Sequence, residues 1–328
     1  MHTKVTANAA AMRRWLSKAE TSLGNHSDRL DAINIFPVAD GDTGTNLYQT
    51  VRAAARAVHG EETTDLGELL TLAGRAAMED ARGNSGTLFA VFLSAFAEPL
   101  LGYTRLTCAL LTTSLHRAQI RSWSALSDPV PGTMLSVLEA SARAAGETAA
   151  QHKADDSNHA LAKTLGAAVE HALRAVEHTE SQLGVLTRAK VVDAGGVGFL
   201  LILDALRAAA LGEELQDELL DGLHGYDIDA PHIHEGGDAE GVEVMCTINL
   251  SPLDAATLRL HLDELGESVI MSAVNEVPEG YRWRVHVHVP DAAPALALIH
   301  AAGDPVNITV TQLASPGGRS SSPEAEGT

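Results

Sequence analysis

Two carboxylates, Asp40 and Asp42, lie one glycine apart in the segment Asp-Gly-Asp-Thr-Gly-Thr-Asn at residues 40–46. Two ionised carboxylates this close repel each other unless a cation lies between them. Glycine allows the backbone to bend around such a cation, and hard oxygen ligands favour Mg²⁺ or Ca²⁺. The segment therefore predicts a cation site in which Asp40 and Asp42 are metal ligands and carry the catalytic chemistry.

A calcium EF-hand and a simple turn are the alternatives for this segment. Counted from Asp40, EF-hand positions 5 and 12 hold Gly44 and Val51, which lack the required side-chain ligands, so we exclude an EF-hand. An Asx-turn that caps the helix after Thr45 stays open, because Asp-Gly pairs are common in turns.

Three further segments, at residues 82–86, 130–134 and 193–198, place a Gly-rich turn before an apolar helix. Such turns present free backbone N–H groups, and the helix dipole adds positive potential, so they bind phosphate well. Each is weak by itself, because glycine before a helix is usually just a turn and Ser85 could be a simple N-cap. Together with the paired carboxylates, they indicate a Mg²⁺–nucleotide site. No Gly-x-x-x-x-Gly-Lys-Ser/Thr loop is present, so this is not a P-loop enzyme.

The elements that must position these residues are helices. Apolar residues recur at helical spacing near 5–23, 44–58, 65–80, 85–101, 104–120, 133–150, 157–178 and 196–211. No strand-like alternation interrupts them, so residues 1–215 are predicted to form one all-helical domain. Residues 216–241 are rich in Asp, His, Gly and Pro and are interpreted as a linker, in which His232 and His234 are solvated.

The pattern changes after the linker. Strands are predicted over 242–250, 268–274, 281–289 and 306–313, with helices over 254–265 and 292–302. The order strand-helix-strand-strand-helix-strand is that of a ferredoxin-like split unit. The sequence therefore predicts a multi-domain protein in which a small α+β domain spans 242–313 and a disordered polar tail spans 314–328.

A possible metal site lies in this second domain. His286 and His288 alternate on one predicted strand and share a face, and Cys246 lies on another strand. Two imidazoles and a thiolate suit Zn²⁺ and would leave one coordination position open. The alternative is an exposed His-x-His face beside an ordinary buried cysteine, and the residues leave both open.

Composition narrows the class of protein. The formal net charge is −20, which argues against a nucleic-acid partner. Two cysteines do not make a disulfide framework, and neither a signal peptide nor a membrane-spanning run is evident. We therefore expect a soluble cytoplasmic protein. Homodimer formation is left open by the sequence.

The segments 36–46, 81–86, 131–134 and 191–196 together resemble, in the same order, the motifs of the bacterial fatty acid kinase family. The N-terminal domain of that family is similar to the nucleotide-binding L subunit of dihydroxyacetone kinase. The resemblance runs from about residue 5 to residue 313, so the chain resembles a short form without the family's C-terminal α/β domain. Whatever that domain contributes, such as docking of the acyl-carrying partner, would be absent or supplied in trans.

This resemblance implies an eight-helix barrel with ATP at one end and two Mg²⁺ ions bridging the phosphates. Asp40 and Asp42 would bind Mg²⁺, with Asn34 as the nearest candidate for a third ligand and Asp31 as the alternative. It also implies that Cys246, His286 and His288 form a metal site. The residues implied to bind the nucleotide are Thr43, Thr45, Asn46, Gly83, Asn84, Ser85 and Gly86 at the phosphates, Gly132, Thr133 and Met134 at the base, and Asp193 and Gly195 at the closure of the pocket.

The leading hypothesis is an ATP-dependent kinase that phosphorylates a fatty acid carboxylate presented by a separate fatty-acid-binding protein, giving an acyl phosphate. A carboxylate is already a nucleophile, so alignment and charge neutralisation suffice without a strong general base. A dihydroxyacetone (glycerone) kinase subunit is the first alternative, although the second domain argues against it. A non-catalytic nucleotide-binding regulatory module is the second alternative.

Overall fold

Polar side chains directly before the helices determine where most of them begin. Asn8, Asp65, Thr107 and Ser157 each accept a hydrogen bond from a backbone N–H in the first turn of the helix that follows. Such N-caps satisfy donors that have no partner within the helix.

The computed structural model describes residues 7–151, 155–226 and 241–313. Within residues 7–226, here called the helical unit, the helices are α1 (Ala9–Ala32), α2 (Thr43–Ala57), α3 (Leu66–Asp80), α4 (Gly83–Ala97), α5 (Cys108–Ala125), α6 (Met134–Gln151), α7 (Asn158–Gln182), α8 (Gly184–Ala189) and α9 (Ala194–Leu211). All eight predicted helices are present. The short helix α8 was not predicted, and α1 continues well past the predicted end at residue 23.

The helical core is built from aliphatic side chains and a few aromatic rings. Helix α9 is buried along most of its length, and the ring of Phe199 packs against Phe92 with centroids 5.1 Å apart. Trp15 is fully buried, and its indole N–H donates to the carbonyl of Ile202 at 3.0 Å. Helix α9 is long and apolar enough to cross a membrane, but 94% of its apolar window is buried in this core, which accounts for its composition.

The second part of the chain, residues 241–313, is here called the sheet unit. Its elements are β1 (Val242–Leu250), α10 (Pro252–Leu265), β2 (Glu267–Val277), β3 (Gly280–Val289), α11 (Ala292–Ala302) and β4 (Val306–Gln312). The four strands form an antiparallel sheet in the order β2-β3-β1-β4. The predicted order of strands and helices is thereby confirmed.

The two faces of this sheet meet different partners. One face carries an apolar cluster, including Val244, Cys246 and Val285, that packs against α10 and α11. The opposite face lies on the helical unit, where Ile270 and Val274 of β2 join the helical core. The sheet therefore forms a middle layer between the helical unit and its own two helices.

The packed helical unit extends further along the chain than the composition predicted. Leu219, Leu220, Leu223 and Tyr226 are buried in the helical core, so the packed structure reaches beyond the predicted domain end at residue 215. Residues 227–240, which include His232 and His234, and the predicted disordered tail at 314–328 lie outside the described residues.

Candidate active site

Asp31, near the end of α1, caps helix α2. Its carboxylate accepts hydrogen bonds from the Gly44 N–H at 2.6 Å, the Thr45 N–H at 3.1 Å and the Thr45 hydroxyl at 2.6 Å. Asp42 occupies the N-cap position of α2 but makes no side-chain capping bond. The cap is therefore supplied by Asp31 rather than by Asp40 or Asp42, which removes the simple capping turn as the explanation of the paired carboxylates.

Glycine at position 44 is required by the close approach of α2 to α1. A Cβ atom there would lie 2.3 Å from the backbone oxygen of Ser27 and 2.7 Å from Leu30 Cβ. Any side chain would push the first turn of α2, and with it the loop that carries Asp40 and Asp42, away from α1.

Asp40 and Asp42 form a desolvated acidic pair. Burial raises the pKa of Asp40 to about 7, and the neighbouring charge of Asp42 contributes to that rise. Burial also raises the pKa of Asp42, which a hydrogen bond with Asn46 partly offsets. The Asn34 amide donates to Asp40 Oδ1 at 2.6 Å. Of the two candidates for a third ligand, Asp31 is engaged in capping α2, and Asn34 contacts the acidic pair directly.

A third carboxylate, Glu243 of β1, reaches this region from the sheet unit. Burial raises the pKa of Glu243 to about 7, the charge of Asp42 contributes to that rise, and a hydrogen bond from the Gly83 N–H acts in the opposite direction. Glu243 is a candidate functional residue that was not predicted from the sequence. Its signal was present, because Glu243 is the charged residue in the otherwise uncharged strand Val242–Leu250.

Glu243 also lies beside the two histidines of β3. Its Oε1 atom is 3.3 Å from His286 Nδ1 and 4.0 Å from His288 Nε2, and one ligand atom from each of the three residues falls within 4.8 Å of the others. Both nitrogens of His286 and Nδ1 of His288 are buried without a hydrogen-bond partner. Burial lowers the pKa of His286 well below its usual value and that of His288 to about 4, so both imidazoles are neutral, which is the form that binds metals.

The structure does not bring Cys246, the third residue of the possible metal site, together with the two histidines. In β1, Met245 pairs with His286 and Glu243 pairs with His288, so odd-numbered residues of β1 share the histidine face. Cys246 therefore points to the other face, where it is fully buried in the apolar cluster. Burial also raises the pKa of its thiol to about 12, which disfavours the thiolate needed for metal binding.

Residues 40–46, which carry Asp40 and Asp42, are here called the Asp loop. A cavity of about 350 Å³, here called the loop cavity, lies next to it. Its lining includes seven of the predicted nucleotide-binding residues: Thr43, Asn84, Ser85, Thr133, Met134, Asp193 and Gly195. The lining residues that were not predicted are Phe36, Pro37, Leu88, Leu126, Asp128, Val130, Glu267 and Ser268. Tertiary structure thus brings together side chains from the three Gly-rich helix starts, the Asp loop and the sheet unit.

Five predicted nucleotide-binding residues do not line the loop cavity: Thr45, Asn46, Gly83, Gly86 and Gly132. The Thr45 hydroxyl donates to Asp31, and the Gly132 N–H donates to Ser136 Oγ at 2.9 Å. A Cβ atom at Gly86 would lie 2.4 Å from the hydroxyl oxygen of Thr50, so glycine there allows α4 to approach α2. Gly86 and Gly132 thus have packing or turn roles in this structure.

Asp193 is the N-cap of α9 at the edge of the loop cavity. Its Oδ2 atom accepts from the Gly196 N–H at 2.7 Å, and only 4% of the residue is exposed. Burial raises the pKa of Asp193 to about 7, which the backbone hydrogen bonds of Gly196 and Met134 partly offset. A single carboxylate thus fixes the start of α9 and contributes to the cavity wall.

A second cavity of about 690 Å³, here called the interface cavity, lies between the helical unit and the sheet unit. It is lined by Gln49, Glu79, Asp80, Arg82, Glu243, Met245, Arg284, Asn307, Ile308, Thr309 and Thr311. Arg284 is 5% exposed, donates to the Ala81 carbonyl at 3.1 Å and has a buried Nε without a partner. Burial lowers the pKa of Arg284, and the nearby carboxylate of Glu243 acts in the opposite direction.

Comparison with known proteins places this architecture in a family. Residues 37–208 match the DAK2 domain, and residues 240–317 match the middle domain of FakA-like fatty acid kinase proteins. Uncharacterised proteins of Staphylococcus aureus, from the bovine strain RF122 and from strain USA300, are each 27% identical over 277 residues, covering 81% of this chain and 48% of the relative. The chain thus spans about half the length of the curated relatives it matches.

Among solved structures, dihydroxyacetone kinase from C. freundii, in complex with AMP-PNP and Mg²⁺, aligns with a TM-score of 0.44 at 23% identity, covering 63% of this chain and 35% of that one. The DAK2 match alone spans more than half of the chain, and a FakA-like fatty acid kinase middle domain follows it. This protein therefore belongs to the DAK2 family, as a FakA-like member.

Proposed function

We propose that this chain is an ATP-dependent phosphotransferase that phosphorylates a fatty acid carboxylate presented by a separate fatty-acid-binding protein. The observation that carries the proposal is the Asp40–Asp42 pair, which is half-buried, makes no side-chain cap of α2 and is adjacent to the loop cavity. Two desolvated carboxylates beside each other suit a divalent cation. The match to a FakA-like fatty acid kinase middle domain supports the choice of acceptor.

The loop cavity offers different surroundings for the two parts of a nucleotide. Leu88, Leu126, Val130 and Met134 provide an apolar wall suited to a base. Thr43, Asn84 and Ser85 provide hydroxyl and amide groups near the first turn of α4, where free backbone N–H groups favour phosphate. We infer that the base lies against the apolar wall and the phosphates lie towards the Asp loop.

Asp40, Asp42 and Asn34 are the residues that would hold Mg²⁺. The cation would supply charge neutralisation at the phosphate oxygens. In the reaction, one oxygen of the acceptor carboxylate forms a bond to the γ-phosphorus, and the bond from that phosphorus to the β,γ-bridging oxygen breaks, releasing ADP. No proton is transferred, so the residues of this chain act by alignment and by excluding water.

The acceptor is proposed to approach through the interface cavity. This cavity and the loop cavity flank the start of α4, since Arg82 lines the first and Asn84 and Ser85 line the second. Arg82 and Arg284 are the cationic groups of this lining, which also holds Glu79, Asp80 and Glu243, and we propose that the two arginines meet the carboxylate of the acceptor. Entry opposite the leaving ADP would suit the in-line geometry of phosphoryl transfer.

We also propose a Zn²⁺ site formed by Glu243, His286 and His288. The donor set fits, because three of the four ring nitrogens of these two neutral imidazoles are buried without a hydrogen-bond partner and a carboxylate lies beside them. Three protein ligands would leave one coordination position open. In this arrangement Glu243 of β1 and the two histidines of β3 would link the two strands at the interface with the helical unit.

The eight long helices are proposed to form a barrel. Contacts between successive helices from α1 to α7, and then between α7 and α9 and between α9 and α1, support a closed ring.

The test combines nucleotide binding with turnover. Calorimetry should detect MgATP binding to the wild-type chain, and ATP consumption should require both a fatty acid and its carrier protein. Asp40→Asn and Asp42→Asn should each lower turnover by at least about 100-fold. Asp28→Asn, which changes an exposed carboxylate of α1, is the matched control and should leave turnover unchanged.

Turnover that persists in both variants would contradict the mechanism. Phosphorylation of dihydroxyacetone in place of the fatty acid would assign the glycerone kinase alternative. MgATP binding without turnover on any acceptor would instead assign the regulatory module.

A further inference from the structure

The start of β2 lies against the loop cavity in an irregular conformation. Ser268 has a backbone φ of 55°, in the left-handed region that non-glycine residues rarely adopt. The pairing of β2 with β3 also shifts register between Glu267 and Ile270. Backbone strain of this kind persists only where the surrounding structure imposes it, and it concentrates at functional sites.

The surrounding structure does impose it here. Leu126 forms an isolated antiparallel bridge with Ile270, and the Ser127 hydroxyl donates to the carbonyl of Val269 at 3.3 Å. Arg259 of α10 donates to the carbonyl of Ala125 at 3.1 Å. These contacts attach the sheet unit to the segment after α5, which itself forms a wall of the loop cavity. The cavity is therefore a joint product of both parts of the chain.

Ser268 makes a specific contact inside this cavity. The Asn84 amide Nδ2 donates to Ser268 Oγ at 3.3 Å, while Asn84 Oδ1 is buried without a partner. The bond to Ser268 uses one of the two hydrogens on Nδ2 and leaves the second available for another acceptor. Asn84 and Ser268 both line the loop cavity, so a phosphate oxygen bound there can be that acceptor.

We propose that Ser268 is a positioning residue of the nucleotide site, which orients the Asn84 amide so that it donates to a phosphate oxygen. The inference rests on the proposed nucleotide function of the loop cavity. It makes the sheet unit part of that site rather than a separate module. Ser268 acts through Asn84, so its effect on binding must disappear when Asn84 is absent.

The experiment measures MgATP dissociation constants by calorimetry on the full chain. Ser268→Ala removes the hydroxyl and keeps the Cβ atom, and it should weaken binding about tenfold, the value of one hydrogen bond. Ser268→Gly should weaken binding by a similar factor while relieving the left-handed strain, so its thermal midpoint without nucleotide should not fall. Ser272→Ala on the same strand is the matched control and should bind like the wild type, since Ser272 does not line the loop cavity.

A double-mutant cycle separates positioning from general structural support. In an Asn84→Ala background, adding Ser268→Ala should cause no further loss of affinity. A further loss of about tenfold in that background would overturn the positioning role. Wild-type affinity in both Ser268 variants would overturn the inference alone. Failure of the wild type to bind MgATP would overturn the proposed function and this inference with it.

Discussion

Replacing Asp40 with asparagine is expected to stabilise the metal-free protein at pH 8, although it removes a proposed metal ligand. Burial raises the pKa of Asp40 from 3.8 to about 7, so the fold favours the neutral carboxyl. The stabilising contribution of that carboxyl is complete below about pH 4 and is lost as the pH rises through about 7. Asparagine stays neutral and can still accept the hydrogen bond from Asn34.

The magnitude follows from the size of the pKa change. One pKa unit corresponds to about 1.4 kcal/mol, so a rise of about three units sets an upper limit near 4 kcal/mol at pH 8. Asp40 also lowers the pKa of Asp42 through a side-chain hydrogen bond, so we expect Asp40→Asn to gain somewhat less than this limit, about 2–4 kcal/mol over the wild type at pH 8 and much less at pH 5.

The assay is chemical unfolding in the presence of EDTA at pH 5 and pH 8. Asp28→Asn is the control for replacing an exposed acid on the neighbouring helix and should show no such pH-dependent gain. With Mg²⁺ and ATP present at pH 8, the wild type should become more stable than Asp40→Asn, because ligands that bind only the folded state stabilise it. An equal difference between Asp40→Asn and the wild type at both pH values would refute the claim that burial and the neighbouring Asp42 raise the pKa of Asp40.

Three further predictions follow from packing, from a buried acid and from strand register. Gly44→Ala should lower the free energy of unfolding by about 1–3 kcal/mol, because its Cβ would lie 2.3 Å from a backbone oxygen of α1; Gly146→Ala, whose Cβ has only one neighbour at 3.8 Å, should not destabilise. Asp193→Asn keeps the cap of α9 and should flatten the pH dependence of the free energy of unfolding. Because the pKa of Asp193 is raised to about 7, the free energy of unfolding of the wild type should fall by up to about 1.4 kcal/mol more per pH unit than that of the variant between about pH 4 and 7. Equal slopes for the two proteins would contradict this. In equilibrium dialysis with Zn²⁺, Cys246→Ser should retain the wild-type stoichiometry and His286→Ala should lose it, and the opposite pattern would restore the cysteine as ligand.

Local patterns in the sequence predicted most elements of this fold. The bounds of β1 and α11 agree with the prediction, because their apolar periodicity and their flanking turn residues both end at the same positions. Helix α1 was predicted too short, since its second half carries fewer apolar residues and is held by packing against α2. Apolar periodicity reflects the burial of one helix face, so a half-exposed helix end shows little periodicity.

Local sequence patterns also predicted part of the chemistry of the Asp loop. The spacing of Asp40 and Asp42 identified a repulsive acidic pair, which is a local property of the chain. The sequence could not predict which aspartate caps α2. Asp31 lies near the end of α1, and only the turn between α1 and α2 brings its carboxylate to the first turn of α2.

The site in the sheet unit depended on long-range pairing. Alternation along one strand predicted that His286 and His288 share a face, and this follows from backbone geometry alone. Whether that face belongs with Cys246 or with Glu243 depends on the register between β1 and β3, which pairs Met245 with His286. Register is set by the packing of the whole sheet against its helices, so sequence alone could not choose the partner.

By itself, the sequence determined the residue types capable of chemistry, their local spacing and the periods of the elements that carry them. Tertiary structure alone decided that the loop cavity takes residues as distant as Phe36 and Ser268 and that Glu243 rather than Cys246 joins the histidines. The physical reason is that spacing along a chain is fixed by covalent geometry, whereas contact across a chain depends on how separate apolar faces pack together.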